Sequence, residues 1–157
     1  MCGVPGAGKS YVAKNLLMRG NGWRYISRDE IRCEILEEDE EHFSHEDEVF
    51  DVFTYKIEQA IKDDEVNNII ADATHLHWPS RRKLLTGIGQ MHNPTVNIIP
   101  VFVMCDGEMA FQRNAARRGR QYVPERAFNS MNEALRHPKN DPFKYTAIME
   151  VYNGGDR

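Results

Sequence analysis

The chain has 157 residues, 41% of them hydrophobic, and a net charge of −4. That length suits one domain over residues 1–157, and no apolar run approaches the roughly 18–20 residues that span a bilayer. The three cysteines, Cys2, Cys33 and Cys105, lack a CxxC spacing; with no basic-then-apolar leader, this argues against a disulfide frame or zinc site and for reduced thiols in a cytoplasmic setting.

Residues Gly3 to Ser10 read G-V-P-G-A-G-K-S, a full match to the phosphate-binding pattern G-x-x-x-x-G-K-[ST]. Gly3, Gly6 and Gly8 permit positive φ and close backbone approach, so consecutive N–H groups can turn inward around phosphate oxygens. Lys9 supplies a point charge for the β- and γ-phosphates. Ser10 offers a hydroxyl to Mg²⁺ and opens a helix whose N-terminal dipole favours an anion. Only Met1 and Cys2 precede Gly3, so the buried strand that normally feeds such a loop is curtailed, and a longer apolar lead-in is expected.

Lys9 to Arg19 carries Val12, Leu16 and Leu17/Met18 near helical spacing, and Gly20-Asn21-Gly22 stops it. Trp23 to Ile26 reads as a short strand. Ser27 or Asp29 caps a helix running through Leu36, and Glu37 to Phe43 reads as a loop. Arg28 to Asp51 holds twelve Asp/Glu and two Arg, a net of −10; the rest holds 18 Lys/Arg and 12 Asp/Glu, a net of +6. Such an acidic stretch is ordinarily a solvated face, or else a surface that repels and so orients nucleic acid.

Ser44 to Lys62 is a long helix with Val49, Val52/Phe53, Ile57 and Ala60/Ile61 on one face. Asn68 to Asp72 is a short buried strand, and Pro79 to Ile88 a helix with proline in its first turn. Val96 to Met104 is the strongest strand pattern, with Pro100 awkward inside it. Gly107 to Arg118 is helical, Gly119 to Val123 a loop, Pro124 to Arg136 a helix and Ala147 to Tyr152 a last strand. Alternating strands and helices predict an α/β fold: a parallel sheet with helices on both faces.

Ser27-Arg28-Asp29-Glu30-Ile31-Arg32 follows the second strand position, at the carboxyl edge where ligands of such sheets bind. Asp29 and Arg32, three apart, can face one way. Asp29 can accept the proton of an attacking hydroxyl or simply cap the helix; Arg32 can fork onto a phosphate or stand as a solvent charge. Asp72 ends its strand where an acid can position Mg²⁺ or serve as a structural hydrogen-bonding group. His75 and His77, at i and i+2 with no third ligand, do not make a metal site. Trp78 can pack or stack on a base, and packing is the simpler reading.

G-V-P-G-A-G-K-S, S-R-D-E-I-R, A-D-A-T-H-L-H-W-P-S-R-R and R-N-A-A-R-R-G-R-Q-Y-V-P-E-R stand in the order in which the polynucleotide kinase family of P-loop phosphotransferases carries its motifs. The chain resembles that family, as found in phage and bacterial end-healing kinases, from Gly3 to about Met131. The resemblance implies a P-loop kinase-like sheet with an Arg-rich lid, ATP and Mg²⁺ as cofactors, and a 5′-hydroxyl end of RNA or DNA as acceptor. It implies that Gly3, Pro5, Gly6, Ala7, Gly8, Lys9, Ser10 and Tyr11 cradle the nucleotide. Ser10 and Asp72 then hold Mg²⁺, Asp29 is the general base and Arg32 contacts the acceptor's phosphate.

A lid arginine would reach the ATP phosphates: Arg117 first, then Arg113 or Arg118, with Arg120 nearby. Tyr11 departs from the small hydroxyl residue frequent at its position. The 157 residues carry no phosphatase or ligase motif, and such a partner is expected to be a separate chain. Arg28, Arg32, Arg81, Arg82 and Lys83 can line a groove for nucleic acid. A small-molecule kinase of the same fold, or a regulator that binds nucleotide without catalysis, are the competing readings.

Overall fold

The computed structural model describes residues 1–37, 40, 41 and 43–154, with the Arg120 side chain left out. Its elements in chain order are α1 (Lys9–Leu17), β1 (Trp23–Ser27), α2 (Arg28–Ile35), α3 (Glu46–Ile61), β2 (Asn68–Asp72), α4 (Trp78–Gly87), β3 (Val101–Met104), α5 (Gly107–Ala115), α6 (Glu125–Ala134) and β4 (Met149–Tyr152). Short 3₁₀ turns cover Gly119–Gln121 and Pro138–Asn140. No helix among the described residues is long and apolar enough to cross a membrane. Part of the expected Glu37–Phe43 loop, residues 38, 39 and 42, lies outside the described residues.

β1 and β2 pair in parallel, with Ser27 opposite Asp72; β3 and β4 pair in parallel, with Met104 opposite Tyr152. Met1–Gly3 occupies the gap between the two pairs. The Met1 N donates to Ala71 O (2.7 Å) and Gly3 N to Thr74 O (2.9 Å) on one side. On the other side Cys2 N donates to Val101 O (2.7 Å) and Cys2 O accepts from Val103 N (2.8 Å). The stub too short to register as a strand therefore does a strand's hydrogen bonding, and the P-loop leaves from the middle of the parallel array.

Successive strand residues face opposite sides. Trp23, Tyr25 and Ile70 join Val12, Ala13, Ala110 and Phe128 of α1, α5 and α6. Ile26, Ile69 and Ala71 join Ile31, Val49, Phe53 and Ile57 of α2 and α3, with Ile88 at the end of α4. Helices thus cover both faces, as the alternation of elements predicts. One expectation is corrected: the Val96–Met104 strand is only Val101–Met104. Proline has no N–H to give a ladder, so pairing begins after Pro100. The segment keeps only acceptor contacts there, Ile98 O from Thr146 N (3.0 Å) and Pro100 O from Met149 N (2.9 Å).

Candidate active site

Gly6 and Gly8 show why the loop needs glycine. Gly6 has φ 80° and Gly8 φ 93°, the left-handed region that a side chain disfavours. A Cβ on Gly6 would strike the Ala110 carbonyl, and one on Gly8 would strike the Asn153 amide. Gly8 caps α1 with no side-chain hydrogen bond, so the first-turn N–H groups of α1 lack a side-chain cap and suit an anion. Asn153, just past β4, donates from Nδ2 to Ala7 O (3.0 Å) and buttresses the loop from its far side.

Lys9 folds back so that Nζ donates to Val4 O (2.9 Å). Burial lowers its pKa; Asp72 and Asp29 pull the other way, and Arg117 adds to the lowering. The ammonium is therefore within electrostatic reach of charged groups from three other segments: the end of β2, the start of α2 and the lid. Ser10 Oγ donates to Asp72 Oδ2 (2.9 Å), and the Tyr25 hydroxyl donates to the same oxygen (2.7 Å). Burial and the Asp72 charge push the Tyr25 hydroxyl up to about 12. Hydroxyl and carboxylate side by side are hard oxygen donors of the kind Mg²⁺ takes, so these residues fit the ion.

On the opposite side Ser27 caps α2, accepting from Glu30 N (3.3 Å), which frees Asp29 from the capping role. Asp29 is 77% exposed and accepts from Arg32 Nη1 (2.6 Å). Arg32 is buried and also donates from Nε to Glu46 Oε1 (2.6 Å), while Arg28 Nη2 donates to Glu46 Oε2 (2.7 Å). One carboxylate at the first turn of α3 thus gathers two guanidinium groups of α2. Burial lowers the pKa of Arg28 against the pull of Glu46, and Arg28 Nε is buried without a hydrogen-bond partner. Sequence reasoning missed Glu46, which it placed in a solvated acidic run.

The lid arginines separate. α5 ends at Ala115 rather than Arg118, so Arg113 and Arg117 do not share a helix face. Arg113 Nη1 donates to Asn153 O (2.9 Å), beside the P-loop buttress. Arg117 lies beyond the helix and donates from Nη1 to Gln121 O (3.4 Å). Arg118 is exposed, and the Arg120 side chain lies outside the described residues. Asn114, also missed, is buried and clamps the lid loop shut: Nδ2 donates to Val123 O (2.7 Å) and Oδ1 accepts from Val123 N (3.2 Å). Tyr11 is exposed on α1.

Arg81 is the clear correction. It is buried, forked onto Asp141 through Nε and Nη2 (both 2.6 Å), and donates from Nη1 to His75 O (2.8 Å), so it lines no groove. His77 caps α4 in a capping box with Ser80, and His75 is buried with φ 42°. Among the described residues no group of three or more His, Cys, Asp or Glu could hold a metal ion.

Residues 1–138 match the protein family described as AAA domain. The crystal structure of a fungal RNA kinase superposes on 99% of the chain with a TM-score of 0.65 at 14% identity, and the chain spans 38% of that structure's length. No curated protein matches the chain in sequence. The α/β fold is that of P-loop kinases.

Proposed function

From the membership of this chain in the AAA-domain family of P-loop proteins, and hence its nucleotide-binding loop, we propose that it transfers the γ-phosphoryl group of ATP to the 5′-hydroxyl end of a nucleic acid. One observation carries the reading: Ser10 of the P-loop meets Asp72 at 2.9 Å on the carboxyl edge of the sheet, where Ser27 stands opposite Asp72 and Asp29, two residues on, presents an exposed carboxylate. The likeness in fold to an RNA kinase supports the choice of acceptor.

In this mechanism the P-loop N–H groups and Lys9 hold the β- and γ-phosphates. Ser10 and Asp72 would hold Mg²⁺, which would offset the negative charge of the phosphates. Asp29 turns its exposed carboxylate to the acceptor and takes the hydroxyl proton as the oxygen attacks the γ-phosphorus. The bond to the β–γ bridging oxygen breaks and ADP leaves. Arg117 swings onto the γ-phosphoryl oxygens as charge spreads over them. Arg32, held in place by Glu46, meets the phosphate next to the attacked hydroxyl.

The test is transfer of labelled γ-phosphate from ATP to 5′-hydroxyl oligonucleotides, nucleoside 3′-monophosphates, nucleosides and small alcohols. A nucleoside 3′-monophosphate should surpass the bare nucleoside about ten- to a hundred-fold in kcat/KM, the worth of a charge-assisted forked contact of roughly 1.5–3 kcal/mol. Equal use of both, with no gain from longer acceptors, would reject the nucleic acid reading and leave a small-molecule kinase. Nucleotide binding with no transfer to any acceptor would leave a regulator.

A further inference from the structure

Between α3 and α4 runs a groove of about 440 Å³ whose walls include Phe50, Trp78, Pro79, Arg82 and Lys83. That volume is in the range of ligand sites, about 300–1,000 Å³. Its two aromatic residues are only half-buried, while Arg82 and Lys83 are exposed. Lys83 Nζ sits 4.3 Å from the centroid of the Phe50 ring, and the Arg28 guanidinium lies 5.7 Å from the same centroid. Asp47, fully exposed, stands 3.6 Å from Lys83 as its opposing charge at the rim.

One wall of the groove is tied to the candidate active site by a chain of side-chain contacts. Arg28, which touches Phe50, shares Glu46 with Arg32, and Arg32 binds Asp29. Trp78 opens α4 after the loop that leaves Asp72, on the carboxyl edge of the sheet. The Asp29–Arg32 pair is thus linked through Glu46 and Arg28 to the Phe50 ring. Flat aromatic walls beside a line of cations are what a single strand of nucleic acid uses: bases stack on the rings and phosphates follow the charges.

We propose that this groove binds the acceptor strand beyond its reacting end, with a base of the second or third nucleotide against Trp78 and the backbone along Arg28, Lys83 and Arg82, the two cations that Phe50 holds in place and their neighbour. The inference rests on the nucleic acid reading above. It reverses the simpler view of Trp78 as a packing residue, and it replaces buried Arg81 with a groove made by its neighbours. Stacking tolerates every base, so the groove lengthens the preferred acceptor without selecting its sequence.

Binding of a 3′-labelled 5′-hydroxyl tetranucleotide, followed by fluorescence anisotropy, tests the groove without requiring catalysis. Trp78→Ala should weaken binding about ten-fold or more, the usual loss of a base–aromatic stack, and Trp78→Phe should recover most of it. An abasic second or third nucleotide should cost the wild type a similar factor and the Trp78→Ala protein little. Arg82→Glu with Lys83→Glu, both on the surface, should weaken binding and flatten its salt dependence, so the groove remains testable if Trp78→Ala unfolds. In transfer assays the KM penalty of Trp78→Ala should be about ten-fold larger for the tetranucleotide than for a nucleoside 3′-monophosphate. Wild-type affinity in both the Trp78 and the double charge variants, or equal penalties for short and long acceptors, overturns the proposal. Tight oligonucleotide binding without transfer would instead sink the kinase reading and leave the groove standing.

Discussion

The two ends of the candidate site are built differently. The donor end is contiguous and rigid: eight consecutive residues wrap a loop, Asn153 braces it, and Ser10 and Asp72 meet at 2.9 Å on the sheet edge. The acceptor end is a relay of charges on two helices, Asp29 to Arg32 to Glu46 to Arg28, with Asp29 largely in solvent. A phosphate cradle needs backbone N–H groups in one fixed curve, so it is written locally. An acceptor contact needs a few long side chains aimed at a point, so distant segments can supply them.

The sharpest way to break this comparison is to remove one charge at each end. On the proposed mechanism Lys9→Ala should abolish transfer and ATP binding together, since Lys9 would serve the phosphates in both ground and transition states. Asp29→Asn should lower turnover by on the order of 10²–10⁴ with ATP affinity within a few-fold, because an amide cannot take the proton. Calorimetric ATP binding beside single-turnover transfer separates the two. Wild-type turnover in Asp29→Asn would reduce Asp29 to an ion-pair partner of Arg32.

A smaller effect separates the two arginines. Arg32→Ala should erase the preference for a 3′-phosphorylated acceptor, about ten- to a hundred-fold in kcat/KM, and leave ATP affinity unchanged. Arg117→Ala should lower kcat more than it weakens ATP binding, since its guanidinium acts as charge develops. If kcat holds, the role passes to Arg113 or Arg118, and the contact of Arg113 with Asn153 places it closer to the loop's brace than to its mouth.

The division also explains what the sequence made legible. β2 runs over the expected Asn68–Asp72, and the helices fall within a few residues of their apolar periodicities. The P-loop residues are consecutive, so their pattern is their geometry. Glu46 and Tyr25 escape such reading because their partners stand 14 and 47 residues away. A strand tyrosine beside Ile26 carries no mark of a carboxylate across the sheet. Arg81 could have been placed: Arg81, Leu85 and Ile88 recur at i, i+4 and i+7, one buried stripe, while Arg82 turns about 100° away. The Arg-Arg pair hid that periodicity.

At the donor end a subtler test concerns Tyr25. Its hydroxyl fixes the Asp72 oxygen that also meets Ser10, so Tyr25→Phe should weaken Mg²⁺ affinity about ten-fold, as loss of a supporting hydrogen bond commonly does. Mn²⁺ binding followed by electron paramagnetic resonance reads this without turnover. The raised hydroxyl, about 12, has a stability consequence of its own. A folded-state pKa above the unfolded value of roughly 10 gives stability that is whole below pH 10 and lost as pH rises toward 12. The wild type should therefore lose its advantage over Tyr25→Phe in that alkaline window.

The smallest expected effect lies where the two ends meet. His75 is buried, and its pKa is pushed well below 6.5 by burial first, then by the positive charges of the Met1 terminus, Arg28, Arg81 and Lys9. Lys9 belongs to the donor end and Arg28 to the acceptor end, so a proton on His75 would repel both. A depressed basic group stays neutral when folded, while the unfolded chain binds the proton from about pH 6.5 downward. The unfolded state then holds more protons, and stability present above pH 6.5 falls as pH drops below it. Stability is therefore expected to fall between pH 7.5 and pH 5. His75→Asn should remove most of that slope, because asparagine tolerates the φ of 42° and carries no proton. Urea midpoints at the two pH values read the difference. Parallel behaviour of wild type and variant would mean that other groups carry the acid sensitivity and that His75 only fills the space between donor and acceptor.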